Sequence, residues 1–147
     1  MKESFQALEK DQVRIISPFL GHLNVEKIKL GSGRSRVYLE IRPEHTNRNR
    51  TVHGGVVATL LDVAVGSAAT SVVDASEIPL TASLNVDYIQ SATAGERLIA
   101  EGKVVKKGSR IVFVEAVVNT EKGEIVARGS AVMAVRPRQN HDTENGT

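Results

Sequence analysis

The feature that most constrains this fold is a run of twenty residues, Gly54 to Val73, that carries a single charge, Asp62. Transmembrane spans have this length and polarity. The run is, however, rich in Gly, Ala, Ser and Thr, contains few large apolar residues and lacks aromatic residues at its ends, unlike a membrane span. We therefore predict a helix over residues 54–73 that is buried on all sides within a protein core.

Segments that alternate between apolar and polar residues surround this helix. They predict strands over residues 23–30 and 35–42, and four more strands after the helix. The turns at Gly108-Ser109 and Lys122-Gly123 are short, which favours an antiparallel meander of the last four strands. In the first of these four strands, one face carries Ala82, Leu84, Val86 and Tyr88.

The remaining segments set the domain organisation. At 147 residues the chain has the length of a single domain, 1–147, with a core over about residues 10–136. Apolar residues at helical spacing predict a helix over residues 4–16 that ends before Pro18. The polar residues 138–147 predict a disordered tail.

A helix that is apolar on every face needs cover on every face. With this few elements, a strongly curved antiparallel sheet of five or six strands, wrapped around the helix, provides that cover and makes the fold α+β. One such sheet leaves either a strand edge or the far side of the helix open. We therefore expect the chain to pair with a second copy of itself.

Composition argues against several classes of function. The chain has no cysteine, which excludes disulfide scaffolds, cysteine zinc sites and thiol nucleophiles and fits a reducing, cytoplasmic location. A net charge of +2 and an aromatic content of 3% argue against a nucleic-acid partner. The four histidines form no metal-binding motif, so we expect no metal, and there is no GxSxG nucleophile motif or phosphate-binding glycine loop.

Asp62 is the residue with the clearest chemical implication. A carboxylate inside an apolar segment is unfavourable unless it is paired or solvated. No Lys or Arg lies between residues 54 and 73, so no neighbour on the helix can neutralise it. Asp62 is therefore either a functional acid or a buried structural residue that bonds to the backbone or to a Ser or Thr of another element.

His53-Gly54-Gly55 stands where a polar loop becomes the apolar helix. The first N–H groups of a helix lack internal partners and carry a positive dipole, and glycine lets a ligand approach them closely. The motif predicts an anion or oxyanion site, or else a simple glycine turn with His53 as a cap. Asp62 lies ~12 Å along the helix from Gly54, so the two residues of one chain cannot act on a carbonyl held at the helix start. Either the acid and the oxyanion donor come from different subunits, or the substrate lies differently.

Residues 45–69, HTNRNRTVHGGVVATLLDVAVGSAA, resemble the signature of the hotdog-fold acyl-CoA thioesterases. The resemblance is closest to the phenylacetate-pathway (PaaI-like) group and to the thioesterase-superfamily-member-2 type. The family pattern has Asn six residues before His-Gly-Gly and Asp nine residues after that His. The matching residues are Asn47, His53, Gly54, Gly55 and Asp62.

The resemblance implies a hotdog fold, dimers with one continuous sheet that pair into homotetramers, and an active site at the dimer interface. It implies that the N–H of Gly54 polarises the thioester carbonyl, while Asp62 of the other chain acts as general base or nucleophile. Asn47 would orient the thioester or the water, and Thr81 matches a Ser or Thr position that holds the water. The CoA would be part of the substrate, and no separate cofactor is implied.

Two further segments bear on this resemblance. The family usually has Gly three residues before the His, where this chain has Arg50. If that position needs a positive φ, either Arg50 is strained or Asn49 takes the left-handed conformation instead. The basic hairpin at 106–110 lies where the family meets the nucleotide of CoA; its candidate contacts are Lys106, Lys107, Gly108, Ser109 and Arg110. The alternative is a solvated turn with no such role, since basic residues are common in turns.

The function implied is hydrolysis of an aromatic or medium-chain acyl-CoA by a thioesterase. The alternative is a hotdog protein that binds acyl-CoA without catalysis. A hotdog dehydratase or hydratase is less suitable, because the sequence shows no second pair of His and acid.

Overall fold

A computed structural model describes Gln12–Val13 and residues 16–139. The predicted tail beyond residue 139 and most of the predicted helix over 4–16 therefore lie outside the described residues. In chain order the elements are β1 (Gln12–Val13), α1 (Pro18–His22), β2 (Lys27–Gly31), β3 (Arg34–Glu40), a 3-10 turn (Pro43–His45), α2 (Gly54–Thr70), β4 (Glu77–Tyr88), β5 (Arg97–Lys107), β6 (Ile111–Thr120) and β7 (Ile125–Pro137).

The strands form one antiparallel sheet in the order β1-β2-β3-β5-β6-β7-β4. Helix α2 packs against every strand from β2 to β7, which requires the sheet to curve around it. The α+β architecture predicted from the sequence, a curved antiparallel sheet around one long helix, is confirmed. Within the described residues the sheet has seven strands rather than five or six, because the two-residue β1 extends it at one edge.

The helix sits on the centre of the sheet through one close contact. The buried Ser35 on β3 donates a hydrogen bond of 2.6 Å to the carbonyl oxygen of Ala64 on α2. Gly102 on β5 lies directly beneath, and a Cβ at this position would overlap the same carbonyl group. Glycine is thus required where the helix backbone meets the sheet.

The prediction of a helix before Pro18 is wrong for the residues of this segment that the structure describes. Gln12 and Val13 pair with Leu30 and Lys29 of β2, because the open edge of β2 offers backbone partners to an extended segment. Pro18 does not end a helix either. It opens α1, where its missing N–H loses no hydrogen bond.

The predicted meander is wrong for its first strand. β5, β6 and β7 are consecutive neighbours, but β4 pairs with β7 at the far edge of the sheet, and β5 pairs with β3. The connection between β4 and β5 spans residues 89–96, which is longer than a tight hairpin turn. This length allows the chain to cross from one edge of the sheet to its centre.

The prediction that α2 is buried on all sides is also wrong within one chain. Its largest apolar residues face the sheet and are fully buried, among them Leu60, Leu61 and Val65. On the opposite side Asp62 is exposed and Gly66 is only partly covered. One sheet covers one side of a helix, so this stripe stays open, as the expected pairing with a second copy requires. Among residues 16–139, none of the helices has the length and apolarity that a membrane crossing needs.

Candidate active site

The start of α2 presents an unpaired donor. His53 is the N-cap, and its Nδ1 accepts a hydrogen bond of 2.8 Å from the Gly55 N–H. The His53 carbonyl oxygen accepts from the N–H groups of both Val56 and Val57, which polarises the peptide that carries the Gly54 N–H. Within the described residues the Gly54 N–H itself has no acceptor.

Asp62 lies two turns further along the same helix, at the surface of the chain and not in the apolar interior. The hydroxyl of Thr81 on β4 donates a hydrogen bond of 2.8 Å to Asp62 Oδ1. Among the described residues, no donor reaches Oδ2. The sequence left open that Asp62 is a buried structural residue bonded to a Ser or Thr. The bond to a Thr is present, but the carboxylate is exposed and not buried.

A β-bulge in β4 aligns the strand with both ends of this site. The register with β7 shifts between Thr81 and Ser83. Before the bulge Thr81 reaches Asp62, and after it the hydroxyl of Tyr88 bonds to the Gly54 carbonyl oxygen at 2.9 Å. Thr81 and Tyr88 are seven positions apart, so in a regular strand their side chains would lie on opposite faces. The extra residue brings both onto the face that meets α2.

Asn47 organises the loop that precedes α2. Its Oδ1 accepts from the N–H groups of Asn49 at 2.9 Å and Thr51 at 3.3 Å, and its Nδ2 lies 3.0 Å from Thr51 Oγ1. Arg50 has a φ of +60°, so Arg50 and not Asn49 takes the left-handed conformation. The carboxamide of Asn47 is thus used to shape the loop, with Arg50 accommodated at the position where the family has glycine.

Two cavities adjoin these groups. A cavity of about 420 Å³ opens beside Asp62, and its lining is mostly apolar. Its apolar members are Phe19, Leu20, Ala58, Val63 and Leu84. A second cavity of about 230 Å³ lies at the start of α2, between Asn47, Thr51, Gly54 and Tyr88. Asn47 and Gly54 therefore share one cavity, whereas Asp62 of the same chain lines the other.

The basic hairpin at 106–110 lies at the opposite end of the helix from Gly54. A Cβ built on Gly33 would lie 3.4 Å both from Val104 on β5 and from Val72 just after α2, which puts the end of β5 that leads into the hairpin near the end of α2. Seventeen residues of helix span ~25 Å. In one chain the hairpin and Gly54 are therefore separated by about the length of the helix. Both could contact the same ligand only if that ligand spanned this distance.

The histidine before the motif is structural. His45 is buried; its Nδ1 accepts from the Arg42 N–H at 2.9 Å, and its Nε2 lies 2.7 Å from the Leu23 carbonyl oxygen. Both ring nitrogens are occupied, so neither is free to bind a metal. In the part of the chain that the structure describes, no three His, Asp or Glu side chains are grouped closely enough to hold a metal ion.

Sequence reasoning missed Thr51, Tyr88 and Phe19, which line the two cavities. Tyr88 was visible only as the last apolar residue of an alternating segment, and its contact with Gly54 spans 34 positions. Phe19 follows Pro18 in a stretch whose helix was misplaced. In both cases the signal is tertiary, and no local pattern carries it.

Comparison with known proteins identifies a family. Residues 49–127 match the model of the thioesterase superfamily. A protein of Saccharolobus solfataricus that is named as an esterase is 33% identical over 106 residues, covering 72% of this chain and 74% of the relative. Human acyl-coenzyme A thioesterase 13 is 25% identical over 130 residues, covering 88% of this chain and 89% of the relative.

Solved structures give the same result. The phenylacetic acid degradation protein PaaI of Thermus thermophilus, in a mutant form, superimposes with a TM-score of 0.73 at 26% identity, over 80% of this chain and 98% of that chain. A Bacillus halodurans protein solved with CoA superimposes with a TM-score of 0.66 at 34% identity, over 68% of this chain and 70% of that chain. These similarities agree with the resemblance found in residues 45–69.

Proposed function

Because this chain belongs to the thioesterase superfamily and is a thioester hydrolase, we propose that it hydrolyses an aromatic or medium-chain acyl-CoA to the free acid and CoA. The observation that carries the proposal is that one helix presents an unpaired N–H at Gly54 and an accessible carboxylate at Asp62. Thioester hydrolysis needs these two groups, a donor for the developing oxyanion and a base for water. CoA as the carrier is supported by the Bacillus halodurans relative solved with CoA.

The choice of acyl group rests on the cavity beside Asp62. Its volume of about 420 Å³ and its apolar lining favour a hydrocarbon or aromatic group over a polar one. Phe19 on α1 is 61% exposed at this cavity, so it offers an aromatic face to a bound acyl group. Ala58 also lines this cavity, and its small side chain leaves room for the acyl group.

We propose that a second copy of the chain completes the site. Within the described residues the outer edge of β4 has no strand partner, and Leu80, Tyr88 and Ile89 on and beside it are 41%, 59% and 52% exposed. Exposed edges with apolar side chains favour association. Antiparallel pairing of two β4 strands would also bring the open stripes of two α2 helices together. The proposed assembly is a homodimer at least, with a homotetramer as the expected final state.

In this dimer, Gly54 of one protomer and Asp62 of the other act on one thioester. Water attacks the carbonyl carbon while the carboxylate of Asp62 takes one of its protons. The charge that develops on the carbonyl oxygen is stabilised by the Gly54 N–H. The C–S bond then breaks, and the sulfur leaves as the CoA thiol with the proton that Asp62 held. In the nucleophilic alternative, the Asp62 carboxylate attacks the carbonyl carbon, the C–S bond breaks and CoA leaves as the thiolate, which takes a proton from solvent. Water then hydrolyses the resulting anhydride to the free acid and the Asp62 carboxylate.

Thr81 and Asn47 have supporting roles in this proposal. The Thr81 hydroxyl holds Oδ1 of Asp62 at 2.8 Å, which leaves Oδ2 to take the proton and keeps Thr81 beside the attacking water. Asn47 lines the cavity at Gly54 and positions the thioester or the water there.

The test of this proposal is Asp62→Asn, which keeps the bond from Thr81 and removes the base. We expect thiol release from a panel of acyl-CoAs to fall about 10²- to 10⁴-fold in kcat. The matched control is Asp74→Asn, an exposed aspartate beyond the other end of α2 whose Ser76 contacts an amide oxygen can also accept. A near-normal kcat in Asp62→Asn would refute the assignment. Tight binding of acyl-CoA by the wild-type chain without thiol release would instead support the non-catalytic alternative.

A further inference from the structure

Tyr88 contacts α2 at the residue on which the proposed mechanism depends. A Cβ built on Gly54 would lie 3.3 Å from Cε1, Cζ and Oη of Tyr88, so the phenol packs directly on the glycine. The hydroxyl donates a hydrogen bond of 2.9 Å to the Gly54 carbonyl oxygen. Tyr88 is 59% exposed, so burial of its ring in the core does not account for this placement.

The peptide unit between Gly54 and Gly55 is held at both of its polar ends. Its carbonyl oxygen accepts from Tyr88, and its N–H donates to His53 Nδ1 at 2.8 Å. Consecutive glycines have the greatest backbone freedom of any residues, and a helix end frays readily. Two hydrogen bonds from outside the helix therefore hold in one orientation a segment that would otherwise sample many.

We propose that Tyr88 is a positioning residue for thioester hydrolysis. By fixing the Gly54–Gly55 peptide together with His53, its hydroxyl holds the start of α2 in the conformation that leaves the Gly54 N–H unpaired and directed at the cavity. An oxyanion donor acts through such preorganisation, because it need not reorient as charge develops. The inference rests on the proposed function and requires no contact between Tyr88 and the reacting atoms.

The glycine at position 54 follows from the same contact. A Cβ at 3.3 Å from the phenol is tighter than ordinary packing allows, so an alanine would displace the ring or the helix start. Gly54→Ala should therefore lower kcat although it retains the N–H. In a Tyr88→Ala background the same substitution meets no ring, and its additional effect on kcat should be smaller.

The decisive experiment compares Tyr88→Phe with Tyr38→Phe. The chain has two tyrosines. The other one, Tyr38, lies on β3, where its hydroxyl accepts a hydrogen bond from Arg36. Tyr38→Phe therefore controls for the removal of a phenol hydroxyl away from the site. We expect kcat and kcat/KM of Tyr88→Phe to fall together by about 3- to 10-fold, the order expected for one hydrogen bond, with KM unchanged. Tyr38→Phe should retain the wild-type kcat.

A second measurement separates positioning from stability and needs no substrate. The amide resonance of Gly55 should shift in Tyr88→Phe, because the carbonyl of its own peptide loses a donor, and its hydrogen exchange should accelerate. Tyr38→Phe should leave both unchanged. Thermal unfolding of both variants shows whether a lower kcat comes from unfolded protein.

The outcomes distinguish the two proposals. An unchanged kcat in Tyr88→Phe, or a higher KM at constant kcat, overturns the positioning role and leaves the proposed function intact. An unshifted Gly55 amide resonance would show that the Tyr88 hydroxyl does not hold the Gly54–Gly55 peptide. If the wild-type chain releases no thiol from any acyl-CoA, the proposed function fails, while the amide measurement still decides whether Tyr88 fixes the helix start.

Discussion

At the residue scale, position 50 shows how far a motif can be interpreted without a structure. The arginine in place of the family's glycine indicated that either Arg50 or Asn49 would take the left-handed conformation. The structure assigns a φ of +60° to Arg50. The reason is local but needs coordinates: Asn47 Oδ1 binds the N–H groups of Asn49 and Thr51, and this closes the loop with Arg50 at its sharpest point.

Glu101 supplies a residue-scale prediction about pH. It lies opposite Arg36 across β5 and β3, and the two side chains form an ion pair of 3.2 Å. Burial raises the pKa of the Glu101 carboxyl above its ordinary value, and Arg36 opposes this shift only in part. The folded chain therefore binds this proton more tightly than the unfolded chain does. Ionisation of Glu101 consequently lowers the free energy of unfolding as the pH rises.

The variant Glu101→Gln cannot ionise and should escape this loss. We expect its Tm, relative to wild type, to rise as the pH increases above about 4, where the unfolded carboxyl ionises while the folded one still holds its proton. Thermal unfolding followed by circular dichroism measures the difference, with Glu115→Gln, an exposed carboxyl on β6, as the control. A Tm difference that is constant or that falls with pH would contradict the prediction.

At the element scale, the sequence predicted α2 and most strands but not the phase of β4. The alternation of apolar residues put Ala82 on the face of Leu84 and Tyr88. In the structure Ala82 is the extra residue of the bulge and has no partner in the ladder, so Thr81 faces α2 instead. The alternation does not reveal this bulge, because Ala82 continues the apolar period of Leu84 and Tyr88. The family pattern nevertheless predicted Thr81 as a site residue, because such a pattern is defined by positions in the chain and does not assume a regular strand.

The hairpin between β5 and β6 carries a prediction at this scale. If two α2 helices pair antiparallel with Gly54 opposite Asp62, each helix extends ~12 Å past the Gly54 of the other. The basic hairpin near that end would then face the nucleotide of a CoA whose thioester lies at Gly54. We expect Lys107→Ala with Arg110→Ala to raise the KM for acyl-CoA about 3- to 10-fold, more at low salt, with kcat unchanged.

The control for this test is Lys122→Ala, which removes an exposed charge from the hairpin between β6 and β7. Its KM should equal that of the wild-type chain. Equal KM values for the Lys107 and Arg110 double variant and the Lys122 variant would mean that the basic hairpin is a solvated turn, the alternative that the sequence left open.

At the scale of the whole molecule, one chain contains the parts of the site but keeps them apart. Gly54 and Asp62 belong to one rigid helix, ~12 Å apart along its axis, and they line different cavities. The sequence predicted this separation, since it depends only on helix geometry and residue count. It could not show that the Asp62 side of α2 is left open by the sheet, because that depends on how far the sheet curves.

The trans arrangement can be tested with two inactive variants, after light scattering has established that the chain is at least a dimer. Asp62→Ala lacks the base, and Gly54→Pro lacks the oxyanion donor. Proline is tolerated at the first position of a helix, the Gly54 N–H makes no hydrogen bond within the described residues, and His53 before it is already extended, with φ −63° and ψ 136°, as a residue before proline prefers. Tyr88 must shift slightly to admit the ring, so circular dichroism should confirm that the variant is folded.

Each homodimer has two defective sites, whereas a mixed dimer has one site with both lesions and one with neither. Co-refolding should therefore restore activity to about a quarter of wild type if exchange is random. A mixture that stays inactive, although both variants fold and mass spectrometry detects the mixed dimer, would show that Gly54 and Asp62 do not act on one thioester across the interface.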